Sequence, residues 1–175
     1  MPLTSQLGDH DSGLSERFKA EANVFNDAFG DNFVSVHHIG STGVPGLVAK
    51  PEVDILLVLR KADGFEDHQE IMESLGYEFD GEPQPQNWYY QKDTDGRRSH
   101  KTHICRVGHE EIWRYLLFRD YLIDHPERAE AYGELKLTLQ KGNKSGMREY
   151  VDGKQDFILE TIELALKEGR EKPQS

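Results

Sequence analysis

The chain lacks most of the features that would mark it as secreted, membrane-spanning or nucleic-acid-coating. It carries one cysteine, Cys105, in 175 residues, so neither an intramolecular disulfide nor a thiolate metal cluster can form within it. No apolar run approaches the ~20 residues that a membrane span needs. The opening stretch, MPLTSQLGDHDSG, has no basic segment followed by an apolar one, so no signal peptide is read there. Positive charge is also scarce: 21 Lys and Arg face 32 Asp and Glu, a formal net charge of −11. Binding along a nucleic-acid backbone rests on Lys and Arg, so no long nucleic acid is expected as a partner, although a local basic pocket remains compatible with the total. The expectation is a soluble, cytoplasmic protein with no membrane partner, whose acidic surface serves solubility.

What is present suffices for a core, with 8 Phe, 7 Tyr and 2 Trp in a chain whose length suits one domain. Leu14, Phe18, Ala22, Phe25 and Phe29 recur at helical spacing and predict a helix over 12–30. Strands are predicted at 33–39 and at 53–60, the second so continuously apolar that it reads as central and covered on both faces. A short helix is predicted between Asp63 and Gly76, then strands at 77–79, 88–92 and 98–107. The EPQPQN stretch reads as a loop, and DTDG as the turn joining the last two strands. Helices are predicted at 110–124, 127–140 and 147–168. The fold class is therefore α+β, with a sheet core over 13–107 and a helical part over 108–168 of a single domain. Residues 1–12 and 169–175 are expected to be flexible.

One charge sits where a charge should not. Asp54 lies within Val53-Asp54-Ile55-Leu56-Leu57-Val58-Leu59, and a carboxylate among apolar neighbours costs several kcal/mol unless it is paired, hydrogen-bonded or metal-bound. Two readings stand side by side: a structural ion pair, or a binding site. Candidate partners come from the C-terminal helices. Arg119 falls on the stripe Ile112, Leu116, Arg119, Ile123. Lys136 falls on Ala129, Tyr132, Lys136, Leu139, and Lys154 on Val151, Lys154, Ile158, Ile162. Long cationic side chains often snorkel to water from such positions. If instead all three turn inward, they can neutralise Asp54 or hold a phosphate. The turn Gly40-Ser41-Thr42-Gly43 offers backbone N–H groups and two hydroxyls suited to anionic oxygens, and Lys50 adds a nearby cation. His37 and His38 face opposite ways on a strand and cannot chelate one ion together. Lys101, His103 and Cys105 share a strand face, so His103 can reach the active side of the sheet.

Three blocks, HIGSTGVPGLVAKPEVDILLVL, WRYLLFRDYLIDHPERAEAYGELK and YVDGKQDFI, resemble the GrpB-like family. That family is similar in fold to the nucleotidyltransferase superfamily of DNA polymerase beta. The superfamily's mark is a hydrophobic-Gly-Ser turn and, about a dozen residues later, Asp-hydrophobic-Asp/Glu. Ile39-Gly40-Ser41 and Asp54 match it. The resemblance implies a nucleotidyltransferase-like protein that moves a nucleotidyl group from a nucleoside triphosphate to an unknown acceptor. Carried over by the motif, Gly40 and Ser41 would hold phosphate and Asp54 would hold Mg²⁺; the reading of the residues themselves adds Thr42, Lys50, Arg119, Lys136 and Lys154 as phosphate holders and His103 as a catalytic candidate. The departures are that the second acid's position is Leu56, strand 98–107 holds no carboxylate, and Lys101 stands where the family shows the first His of a His-x-His pair. The alternative is a non-catalytic module for a nucleotide or other phosphorylated small molecule. Since some relatives are fused to a dephospho-coenzyme A kinase, the resemblance also suggests a coenzyme A pathway kinase as partner.

Overall fold

The computed structural model describes residues 13–175, so the stretch 1–12 lies outside the described residues. Helix α1 (Gly13–Phe29) leads into β1 (Phe33–His38) and β2 (Val53–Leu59), followed by the short α2 (Gln69–Ser74). Three strands follow, β3 (Glu78–Gln84), β4 (Asn87–Thr94) and β5 (Arg97–Arg106), and then α3 (Glu110–Asp124), α4 (Pro126–Gly142) and α5 (Met147–Lys167). The strands form one sheet in the order β1-β2-β5-β4-β3. Only the central β2–β5 pair is parallel; its neighbours run antiparallel.

The continuous apolar run of β2 is explained by cover on both faces. Val53, Ile55, Leu57 and Leu59 pack with Leu14, Phe25 and Phe29 of α1 and with Met72 of α2. The alternate residues Leu56 and Val58 pack with Cys105 of β5 and with Ile112 and Leu116 of α3. Asp54 shares that second face by the two-residue period of a strand. The segment after β1 is pinned to the helices through Val44 and Leu47, which join Phe118 and Leu122 of α3, Tyr132 of α4 and Ile162 of α5. This contact carries α4 and α5 toward the end of β2 that bears Asp54.

Two boundaries differ from the sequence-based expectation. The strand expected at 77–79 continues to Gln84 and β4 begins at Asn87, so four of the six EPQPQN residues are strand and only Pro85 and Gln86 form the turn. β3 is an edge strand, and there a proline such as Pro83 forfeits no ladder bond that the sheet needs. Residues 169–175 carry no regular element but lie against the body: Gly108 N–H donates to the Gln174 carbonyl at 2.8 Å and Arg170 pairs with Asp124 at 2.9 Å. Among the described residues no helix is long and apolar enough to cross a membrane.

Candidate functional site

The Gly40–Gly43 turn is built around Asp54. Gly40 sits at φ +64°, and a Cβ there would lie 3.0 Å from Asp54 Oδ2. At Gly43 a Cβ would fall 2.5 Å from the His38 carbonyl oxygen. Both positions therefore require glycine, one for backbone conformation and both for close approach. Ile39 N–H donates to the Asp54 carbonyl at 2.9 Å, locking the turn onto the start of β2.

Thr42 is the hub of this junction. Its Oγ1 accepts from Asp54 N–H at 3.2 Å, donates to Asp54 Oδ2 at 3.2 Å and lies 2.9 Å from His38 Nε2. Even so, burial pushes the Asp54 carboxyl above its ordinary range, with Lys101 and Thr42 pulling it back. The cation nearest in sequence register is Lys101, the direct partner of Asp54 across the parallel β2–β5 pair. Lys101 forms an ion pair with Glu52, and although burial opposes its charge, Asp54 and Glu52 hold its pKa above the lysine norm.

Glu52 was overlooked at the sequence level, where Asp54 stood as a lone acid. It is only 3% exposed, sits in the bend two residues before Asp54, and its charge acts on the Asp54 carboxyl. The Pro51-Glu52 pair precedes the strand, so the apolar run of β2 masked it.

Lys136 and Lys154 reach this cluster from α4 and α5, as their helical stripes suggested. Lys136, 2% exposed, donates to Ser41 Oγ at 2.8 Å and to the Val48 carbonyl. Burial, with the Lys154 charge, lowers its pKa to about 7. Lys154 is half-buried over the Tyr150 ring at 4.5 Å, and Lys50 approaches the same ring at 5.6 Å. Burial and the charge of Lys101 lower Lys154 to about 8, and burial with Lys101 lowers Lys50 too. Lys50, Lys136 and Glu52 form a buried floor, while Asp54, Lys101, Lys154 and Ser41 remain half-buried and reach solvent.

Two expected members do not join. Arg119 donates to the His38 carbonyl at 3.0 Å and to Asp120 at 2.7 Å. It braces the back of the turn, with its Cδ 3.3 Å from where a Gly43 Cβ would be. His103 lies on the expected face but bonds Asn87 Oδ1 at 3.0 Å and the Tyr115 hydroxyl at 3.1 Å, beneath the Tyr89 ring. Burial lowers it to about 3, so it is neutral and serves as a hydrogen-bonded wall. A separate apolar groove of about 490 Å³, lined by Val44–Val48 and by Ala129, Gly133 and Leu137 of α4, lies outside the charge cluster.

The donor set does not suit Mg²⁺. The ion takes near-octahedral oxygens, usually one or two carboxylates with waters and substrate phosphates, so the test is whether the two carboxylates here are free to serve it. Glu52 is engaged by Lys101, and Leu56, where a second acid of the Asp-x-Asp pattern would stand, is fully buried in the core.

Comparison with known proteins agrees with this geometry at the level of fold. The family described as GrpB protein matches residues 4–164. The UPF0157 protein YqkA of Bacillus subtilis is 34% identical over 151 residues, covering 86% of this chain; the chain spans 44% of that relative's length. The crystal structure of the conserved protein GrpB from Enterococcus faecalis superposes with a TM-score of 0.85 at 32% identity, covering 95% of this chain and all of that one. Terminal uridylyl transferase 4 from Trypanosoma brucei, solved with bound dUTP, gives a TM-score of 0.57 at 13% identity over 92% of this chain and 55% of that chain. The last likeness places the α+β sheet and its helices with the nucleotidyltransferase fold.

Proposed function

Because the chain belongs to the GrpB family, and because its charge cluster lies where a nucleotidyltransferase fold carries its acids, we propose that it binds the phosphate groups of a small phosphorylated ligand. A nucleotide is the favoured member of that class, since a protein of this fold has been solved with dUTP. The reading is of binding and not of nucleotidyl transfer, because the in-line reaction needs metal-holding carboxylates and here Glu52 is engaged by Lys101 and Asp54 by Thr42.

One observation carries the proposal: four ammonium groups, those of Lys50, Lys101, Lys136 and Lys154, crowd around only two carboxylates, Glu52 and Asp54. Fully charged, the group would hold an excess of two positive charges inside a protein of formal net charge −11. A self-contained structural network balances its own charges; here like charges depress one another instead. A phosphate dianion supplies the missing counter-charge, and Ser41 Oγ, already held by Lys136, supplies a polar contact at the solvent-reached rim.

Titration calorimetry with ATP, pyrophosphate and inorganic phosphate, each in EDTA, tests the reading. Binding that weakens at least tenfold in Lys154→Met, with the fold intact by circular dichroism, is expected from losing one close charge pair. Absence of binding by all three anions, or equal affinity in the variant, refutes it.

A further inference from the structure

We propose that the Lys101 ammonium, paired with Glu52 and beside Asp54, is a resident cation that takes the place of a divalent metal, so that this site takes its phosphate ligand free of Mg²⁺. The inference rests on the anion-binding reading but goes beyond it, because it assigns the ionic form of the ligand and a role to Lys101.

The geometry comes from the sheet itself. Asp54 and Lys101 are direct partners in the parallel β2–β5 register, so their side chains leave the same face side by side. Glu52, two residues before Asp54, completes the pair of carboxylates and bonds the Lys101 ammonium. Lys101 touches Glu52 directly and acts on the neighbouring Asp54 through its charge, which an ammonium does without the octahedral order that Mg²⁺ demands. The lysine side chain is anchored on a central strand, with 24% of its surface exposed. It is therefore a fixed part of the pocket that still touches solvent.

Charge bookkeeping then sets the preference. Glu52, Asp54 and Lys101 together carry one net negative charge, which Lys50, Lys136 and Lys154 more than offset. A metal ion arriving with the ligand would add two further positive charges beside four ammonium groups, in a setting where screening is weak. The pocket therefore favours the uncomplexed phosphate. Lys101 contributes the fixed positive charge that metals supply elsewhere to phosphate oxygens, and a lysine does so as a point charge needing no set coordination number.

The test has two arms that fail separately. In the first, pyrophosphate is titrated into the wild-type protein with EDTA and then with excess Mg²⁺; affinity is expected to persist in EDTA and to fall when Mg²⁺ complexes the ligand. Binding that strictly requires Mg²⁺ overturns the inference while leaving the anion-binding reading in place. In the second, Mn²⁺ is titrated in the absence of any anion and followed by electron paramagnetic resonance. The wild-type protein and Lys101→Arg are expected to take up none at this site, whereas Lys101→Ala gains a Mn²⁺ that is lost again when Asp54→Asn is added. Folded Lys101→Ala that gains no Mn²⁺ overturns the proposal, as does Mn²⁺ uptake by the wild type that Asp54→Asn abolishes. Should Lys101→Ala fail to fold, the wild-type results decide. Failure of pyrophosphate to bind under either condition removes the anion-binding reading, and the Mn²⁺ arm still judges Lys101.

Discussion

Ligand binding at this cluster should draw protons out of solution. Lys154 and Lys136 are held to about 8 and about 7 by burial and by neighbouring ammonium groups. A polyanion beside them reverses that balance and moves both toward the ordinary lysine value. At pH 8 the return of both amines to about 10.4 takes up about 0.5 proton at Lys154 and about 0.9 at Lys136, or about 1.4 in all. At pH 6 both are already charged in the free protein, and the uptake falls to about 0.1. ATP is a suitable probe because the second ionisation of its terminal phosphate, near pH 6, is complete by pH 8. The assay is calorimetry of ATP binding at pH 8 in HEPES and in Tris, whose different ionisation enthalpies report the protons exchanged. Lys154→Met should reduce the uptake below the Lys136 share, because losing the Lys154 charge also relieves Lys136. ATP binding with identical heats in the two buffers at pH 8 would refute the account, since it would mean that neither amine responds to the anion.

The remaining predictions concern the frame of the site. Gly40→Ala should destabilise the fold by about 2 kcal/mol or more, because it forces an L residue into a glycine-only region and places a methyl against Asp54 Oδ2; chemical denaturation measures it. Leu56→Asp, which restores the acid of the Asp-x-Asp pattern, should unfold the protein and not activate it. It buries an unpaired carboxylate at a fully enclosed position, a loss of several kcal/mol visible by circular dichroism. Stability should rise between pH 7 and pH 9.5. Folded Lys136 and Lys154 shed their protons at about 7 and about 8 while the unfolded chain keeps them to about 10.4, so the unfolded state binds more protons throughout that window. The raised Lys101 has the opposite sign, but its contribution is lost only above that window. A melting temperature that climbs equally in Lys136→Met/Lys154→Met would show that other groups cause the slope.

How far the site could be read from sequence depended on the element that carries each residue. Asp54 was legible because β2 is otherwise unbroken apolar residues, so its charge stood out. Lys136 and Lys154 were legible because helix period alone puts them on inward stripes. Arg119 followed the same rule and failed. Its guanidinium is long enough to turn off the stripe, and it found the His38 carbonyl and Asp120 before the cluster. Lys101 was visible on its face, but its importance depends on the register that places it beside Asp54, and register between strands some 47 residues apart is a tertiary fact. Glu52 was hidden in the bend before β2, since its partner Lys101 comes from β5 and not from its own neighbours in sequence.

On the proposed reading, these residues give kinship of fold without sameness of chemistry. The superfamily mark that this sequence resembles is a Gly-Ser turn with two acids on one strand and a third on its neighbour. This chain keeps the turn and the acid at Asp54, fills the next place with Leu56 as part of the α3-facing core, and sets Lys101 on the neighbouring strand. Each change alters the sign or removes the charge while leaving the backbone path intact, because strand register and the two glycines hold the turn independently of which charges line it. On the proposed reading, the retained turn holds phosphate and the side chains around it grip the anion with ammonium groups. A lysine-held phosphate can be captured and released without the metal-bound oxygens that make transfer chemistry run, and that is the physical ground for reading this member of the GrpB family as a binder.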